Sequence, residues 1–397
     1  MKNKYISLLA LFAMILTLTV SCESDDPAKS DATPTIKYVR PTDAARADSL
    51  LVEASMGSTI ALIGEGLEGV NEIWFNDQRA KLNPVYITST SIIVTVPGTM
   101  PEEISNTITL KTAKGKQSKY DFAVIIPSPR VTGMKNEWAA DGMETTIFGD
   151  YFFPGEDGKL VEILFPGNLT AEVISFDERN IRIKVPAGAL PGTVTVESIY
   201  GKGRSEFTFR NNEGLFIDSN NPEVWNTWNR SAFATEGGTS GQYVLLSGQS
   251  NNWAWPPESM QVIYINPTGN TLATVPGSEP SDYALVFEYN SINWSGCHMY
   301  IWFGGAGGDN IDAPERVQYL WQPFMVNGTA TNLVTGEWVT VSIPLSEFNH
   351  NKASGSNDAK YSSIDELINM YIFVFGAADA PAPFELWMDN FRLVKIN

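Results

Sequence analysis

Nine of the eleven tryptophans fall between residues 212 and 397, and both histidines lie there with them. The run NWSGCHMYIWFGG, Asn293 to Gly305, sorts by alternation. Trp294, Gly296, His298, Tyr300 and Trp302 share one side of a strand, and Ser295, Cys297, Met299, Ile301 and Phe303 share the other. The second set is an ordinary core face. The first carries aromatic rings where a half-buried strand usually carries Thr, Lys or Glu. Trp253 and Trp255 stand in a Pro/Asn-rich loop, Ser250 to Pro257, and Trp321 shares a face with Tyr319. A soluble domain rarely leaves so many indoles at its surface unless something covers them. The chemistry open to such a surface is stacking. A flat indole covers the C–H face of a pyranose ring and leaves the edge hydroxyls to Asn, Gln, Glu or His. With roughly 100 Å² of apolar surface removed per sugar, each platform contributes about 2 to 3 kcal/mol. After the cost of ordering a flexible chain, two or three platforms give affinities on the order of micromolar to millimolar. The expected ligand-binding set is Trp253, Trp255, Trp294, His298, Tyr300, Trp302 and Trp321. Trp225 and Trp228 lie in another polar segment, Trp338 reads as a packing residue, and Trp387, between Glu385 and Asp389, fits either role.

Catalytic alternatives are thinner. His298 and His350 are the only imidazoles, so no zinc constellation forms. Cys297 and His298 are adjacent on a strand and point to opposite faces, which prevents a nucleophile–base pair. Glycosidase chemistry needs two carboxyl groups about 5 to 10 Å apart, and Glu288, Glu385 and Asp389 are the in-strand acids that could flank a groove. Asp309, Asp312 and Asp389 could help hold a structural calcium ion, with no ligand spacing to support it. No catalytic residue, metal or cofactor is assigned.

The elements that would position the aromatic set are strands. Tyr243–Leu246, Met260–Ile265, Tyr283–Tyr289, Val317–Trp321, Trp338–Ile343, Met370–Phe375 and Phe384–Asp389 all alternate, and one short helical stretch, Ser363 to Asn369, starts from a capping serine. Residues 212–397 therefore read as a jelly-roll-type β-sandwich. Upstream, the chain repeats with a period of about 85 residues. Ala61-Leu62-Ile63-Gly64 recurs as Thr146-Ile147-Phe148-Gly149, and Val94-Thr95-Val96-Pro97 as Ile183-Lys184-Val185-Pro186. Short strands between Gly, Pro and Asn turns make two small all-β sandwiches, 34–126 and 127–211. Their opening, Pro34-Thr35-Ile36-Lys37-Tyr38-Val39-Arg40-Pro41, resembles the immunoglobulin-like IPT/TIG family. That resemblance implies fold alone and a spacer role, with Trp74 and Trp138 as packing or linker residues.

Lys2 and Lys4 precede an apolar stretch, Ile6 to Val20, of secretory length. It ends in Thr19-Val20-Ser21-Cys22 and then Glu23, Ser24, Asp25 and Asp26, which resembles a bacterial lipoprotein signal with a surface-export tetrad. The resemblance implies a signal peptide over 1–21, lipidation of Cys22, an acidic linker over 22–33, and an outer-membrane, lipid-anchored, cell-surface location. Cys297 then has no intramolecular disulfide partner. The formal charge is −18, of which residues 212–397 supply −13. Nucleic acid is disfavoured, since phosphate binding needs basic clusters, and acidic polysaccharides are disfavoured by the same Coulomb argument. A neutral glycan is expected.

A lipidated cysteine, tandem IPT/TIG-like units and a Trp-rich sandwich, in that order, resemble the surface glycan-binding proteins encoded in polysaccharide-utilisation loci. Gly241 to Gly248, the Trp253/Trp255 loop and Phe384 to Phe391 carry the likeness in the last domain. It implies a non-catalytic protein that binds a neutral polysaccharide or oligosaccharide. It also implies a place beside a TonB-dependent transporter and its SusD-like lipoprotein, supporting glycan capture for import. A glycoside hydrolase or lyase with accessory Ig-like domains, or a protein-binding adhesin, stays open at this level.

Overall fold

The computed structural model describes residues 32–396 apart from 47, 156–157, 160–161, 219, 221–224, 227–231, 251–260, 295–296, 306–315 and 377–381. Cys22, Trp228, Trp253, Trp255, Asp309 and Asp312 lie outside the described residues. The protein is all-β, and helix in the described residues is limited to three-residue 3-10 turns. The stretch expected to be helical near Ser363 is one such turn, Ile364–Glu366, closed by a capping box between Ser363 and Glu366. Two compact units form, one ending at Pro127 and the other beginning at Ser128.

The first unit is an immunoglobulin-like sandwich. One sheet holds Thr35–Pro41, Thr59–Glu65 and Ser91–Thr95; the other holds Gln78–Arg79, Val70–Phe75, Thr107–Thr112 and Gln117–Asp121. Alternation along these strands turns Ile60, Leu62, Ile73, Phe75, Ile92, Val94, Ile108 and Leu110 into a common core. The second unit opens with a sandwich of the same kind. Arg130–Met134, Glu144–Asp150, Asn180–Lys184 and Glu172–Phe176 form one sheet, and Leu169–Thr170, Glu162–Phe165, Thr195–Ser198 and Gly201–Arg204 the other. The glycine that recurs in both repeats has one cause. A Cβ on Gly64 would sit 1.9 Å from the Thr35 carbonyl oxygen, and one on Gly149 would sit 1.9 Å from that of Arg130. Both approaches occur beside a register shift in the first strand of the repeat, after Ile36 and after Val131.

The rest of the second unit is a larger sandwich of two antiparallel sheets. One runs Ala232–Ala234, Tyr243–Ser250, Ala382–Lys395, Tyr283–Trp294, Val339–Pro344, with Leu215–Ile217 also paired to Ala382–Lys395. The other runs Trp225–Asn226, Gln261–Tyr264, Asn369–Gly376, Cys297–Gly304, Val317–Trp321, His350–Asn351. Between them lies a core that includes Leu246, Val262, Leu285, Phe287, Met299, Ile301, Phe303, Ile372, Val374, Leu386 and Phe391.

The Ig-like part of this unit locks onto the outer face of the first of these sheets. A bulge makes the contact: Val286 pairs with Arg392 but Glu288 pairs with Asp389, so the strand carries an extra residue, with Asn390 at a left-handed φ of 55°. The bulge resets the alternation, so that Leu386, Met388, Phe391 and Leu393 all face the core while Arg392 faces out. Outward does not mean exposed. The Arg392 guanidinium is fully buried and holds Glu288 through both carboxylate oxygens, at 2.9 and 3.0 Å, and Glu137 of the Ig-like part at 2.9 Å. Thr340 ties the same two parts together: its amide donates to the Lys135 carbonyl at 2.8 Å, and its hydroxyl accepts from the Glu137 amide at 2.8 Å and donates to Glu288 at 2.9 Å. Burial pushes the Glu137 and Glu288 carboxyls up, and Arg392 pulls both back.

Candidate functional site

The outer face of the second large sheet carries the aromatic cluster that is the candidate site. Along Cys297–Gly304, alternation holds as expected: Cys297, Met299, Ile301 and Phe303 belong to the core, while His298, Tyr300 and Trp302 lie on the other side. The neighbouring strand adds Tyr371 and Phe373, and Ile263 completes a second, outward apolar cluster. Trp302 is its centre. Its ring stacks on Tyr371 at 5.1 Å and 17° and on Phe373 at 4.7 Å and 20°. On the other flank, Gln322 contacts both ring nitrogens of His298, at 2.8 and 3.2 Å, and Leu320 pairs with Tyr300. The expected exposed indole shelf is not met at its centre: Trp302, Tyr371 and Phe373 are buried, and the half-buried Tyr300, His298 and Gln322 are what this edge offers a ligand.

Two members of the expected set are corrected. Trp294 is fully buried between the sheets, against Trp321 and Phe384. The reason is topological: Tyr283–Trp294 belongs to one sheet and Cys297–Gly304 to the other, so the parity counted from Trp302 back to Trp294 crosses from layer to layer. Trp321 does alternate with Tyr319, but towards the core, where it is 4% exposed and meets Phe287 and Tyr289 edge-on. His298, Tyr300 and Trp302 are thus the members of the expected set that share the outer face among the described residues.

Tyr371, Phe373, Gln322 and Arg316 were not singled out from the sequence. The signal for the first two was present in Met370-Tyr-Ile-Phe-Val, where the residues between Met370, Ile372 and Val374 are again aromatic. Trp338 and Trp387 gather on the opposite outer face around Tyr243, with the Trp338 indole donating to the Gly237 carbonyl and the Trp387 indole to Glu385.

The acids weighed for catalysis have structural partners: Glu288 binds Arg392, Asp389 accepts from the Ser240 hydroxyl at 2.7 Å, and Glu385 accepts from Trp387 at 2.9 Å. Among the described residues no group of three or more His, Cys, Asp or Glu is arranged to hold a metal.

Burial holds the His298 imidazole below its ordinary value of 6.5. Between the folded value and 6.5 the folded protein binds fewer protons than the unfolded chain. The group's contribution to stability is therefore complete above about pH 6.5 and is lost as pH falls through the folded value. A proton-NMR titration of the His298 ring should give a midpoint below 6.5; a midpoint at about 6.5 would mean a solvated ring, and one above it a carboxylate-paired ring.

The larger two-sheet sandwich thus carries an outward aromatic cluster and follows Ig-like modules. Residues 209–395 match the family model described as surface glycan-binding protein B xyloglucan binding domain, and residues 51–124 match the IPT/TIG domain. The solved structure of the surface glycan-binding protein PbSGBP-B from Prevotella bryantii is similar at 29% identity and a TM-score of 0.72, over 93% of this chain and all of that one. An SGBP-B from a complex xyloglucan utilization locus in Bacteroides uniformis shares the fold at 17% identity and a TM-score of 0.50, over 92% of this chain and all of that one. A curated IPT/TIG domain-containing protein of Bacteroides ovatus is 30% identical over 223 residues, half of this chain. The match spans 43% of that relative's length. In its C-terminal sequence model and in its fold, the chain is similar to surface glycan-binding proteins B.

Proposed function

We propose that the protein is a non-catalytic lipoprotein that holds a neutral glycan of the xyloglucan type at the cell surface through the outer aromatic face of its C-terminal sandwich. The observation that carries the reading is the stack of Trp302 on Tyr371 and Phe373, flanked by Tyr300 and by the His298–Gln322 pair, on a sheet face that the fold does not use for its main core. Trp253 and Trp255 are proposed as further ligand contacts. The match to a xyloglucan binding domain supports the ligand class, and the charge of −13 on residues 212–397 favours a neutral chain over an acidic one. Lipidation at Cys22 would anchor the chain to the outer membrane. The Ig-like modules would lift the binding domain from the bilayer and present glycan to a TonB-dependent transporter with its SusD-like lipoprotein.

Affinity electrophoresis against xyloglucan, other neutral glucans, pectin and a glycosaminoglycan, with reducing ends followed in parallel, tests this. Retardation by xyloglucan without released sugar is the expected result. Released reducing ends would make the protein an enzyme, and retardation by none of the glycans would leave an adhesin.

A further inference from the structure

Trp302 lies on the outward side of its sheet, yet it is only 3% exposed. Part of its cover is Arg316, whose guanidinium carbon stands 3.7 Å from the ring centroid, over the indole. This is the distance at which a sugar ring would stack, so the two compete for one surface. Arg316 is half-buried and immediately precedes the strand Val317–Trp321. Its Nε donates to the Gln318 side-chain oxygen at 3.0 Å, and Gln318 is buried, which fixes the point from which the guanidinium reaches out.

Resting on the glycan-binding reading above, we propose that Arg316 is an affinity-limiting cap on the Trp302 subsite. In the free protein the guanidinium occupies the indole, and a sugar ring reaches that subsite only by displacing it. Every ligand that stacks there must exceed the lost cation–π contact, which is worth a factor of about two to thirty in an equilibrium constant. Because every ring that stacks there displaces the same contact, the cap lowers affinity without ranking ligands and keeps it in a range that permits release.

The test compares wild type, Arg316→Ala, Arg316→Gln and the double variant Arg316→Ala/Trp302→Ala, by calorimetric titration with xyloglucan oligosaccharides and with circular dichroism as the check on folding. Both single variants should bind about two- to thirty-fold more tightly than wild type. Adding Trp302→Ala should remove that gain. Arg316→Gln keeps a side-chain donor towards Gln318 and serves where the alanine variant does not fold. Unchanged or weaker binding by the folded single variants, with wild type binding normally, overturns the cap and leaves glycan binding standing. A wild-type protein that binds no xyloglucan oligosaccharide overturns the glycan reading and the cap with it.

Discussion

Replacing Arg392 with methionine is expected to destabilise the unit that begins at Ser128 by about 3 to 5 kcal/mol, lowering its melting temperature by about 6 to 20 °C. The side chain is fully buried and is the counter-charge that both Glu288 and Glu137 hold at hydrogen-bond distance. Removing it leaves Glu288 with no opposite charge and with Thr340 as its remaining donor. Most of the loss comes from that stranded carboxylate rather than from the absent ion pair, since a buried pair returns little beyond its own desolvation. Two controls follow. Arg392→Met combined with Glu288→Met should recover part of the loss, because Glu137 is then the carboxylate left without its counter-charge. In Arg392→Met alone, burial acts on Glu288 unopposed and raises its carboxyl further above the ordinary 4.5. The folded variant would retain a proton that the unfolded chain releases above about pH 4.5, so its stability should fall as pH rises from about 5 to 8. Chemical denaturation at three pH values checks both statements. A loss below about 1 kcal/mol would mean that the network contributes nothing specific.

The same network marks where sequence reading stops. Glu288 and Arg392 are 104 residues apart, and Glu137 and Arg392 are 255 apart; the register that joins them depends on one extra residue at Asn390. Period-two alternation carries no information about a bulge, and read without one it makes Glu288 and Asp389 groove acids. What the sequence did disclose followed from short-range physics. The two repeats were visible because each needs the same strands, turns and close-approach glycine. Inside a single strand the alternation separated His298, Tyr300 and Trp302 from Cys297, Met299, Ile301 and Phe303 correctly. It failed at Trp294 because the chain changes sheets there. It failed at Trp321 because in a two-layer sandwich both sides of a sheet can be aromatic, and residue type does not say which side faces the partner sheet.

That distinction between inner and outer tryptophans predicts different effects on binding, although both indoles are buried and both replacements should cost stability. Trp302→Ala should weaken xyloglucan binding by about 1.5 to 2 kcal/mol, or roughly ten- to thirty-fold, since it removes the central ring of the outward stack. Trp294→Ala removes a ring of the main core, fully buried against Trp321 and Phe384, and should cost about 3 to 5 kcal/mol of stability. The fraction of Trp294→Ala that remains folded should bind glycan with wild-type affinity, because the indole lies on the far side of the sheet layer from His298, Tyr300 and Trp302. Calorimetric titration at a temperature where both variants are folded, paired with denaturant midpoints for each, separates the two effects. If Trp294→Ala lost affinity in proportion to Trp302→Ala, the ligand would have to enter between the sheets. If Trp302→Ala bound as wild type does, the outer aromatic face would not be the site.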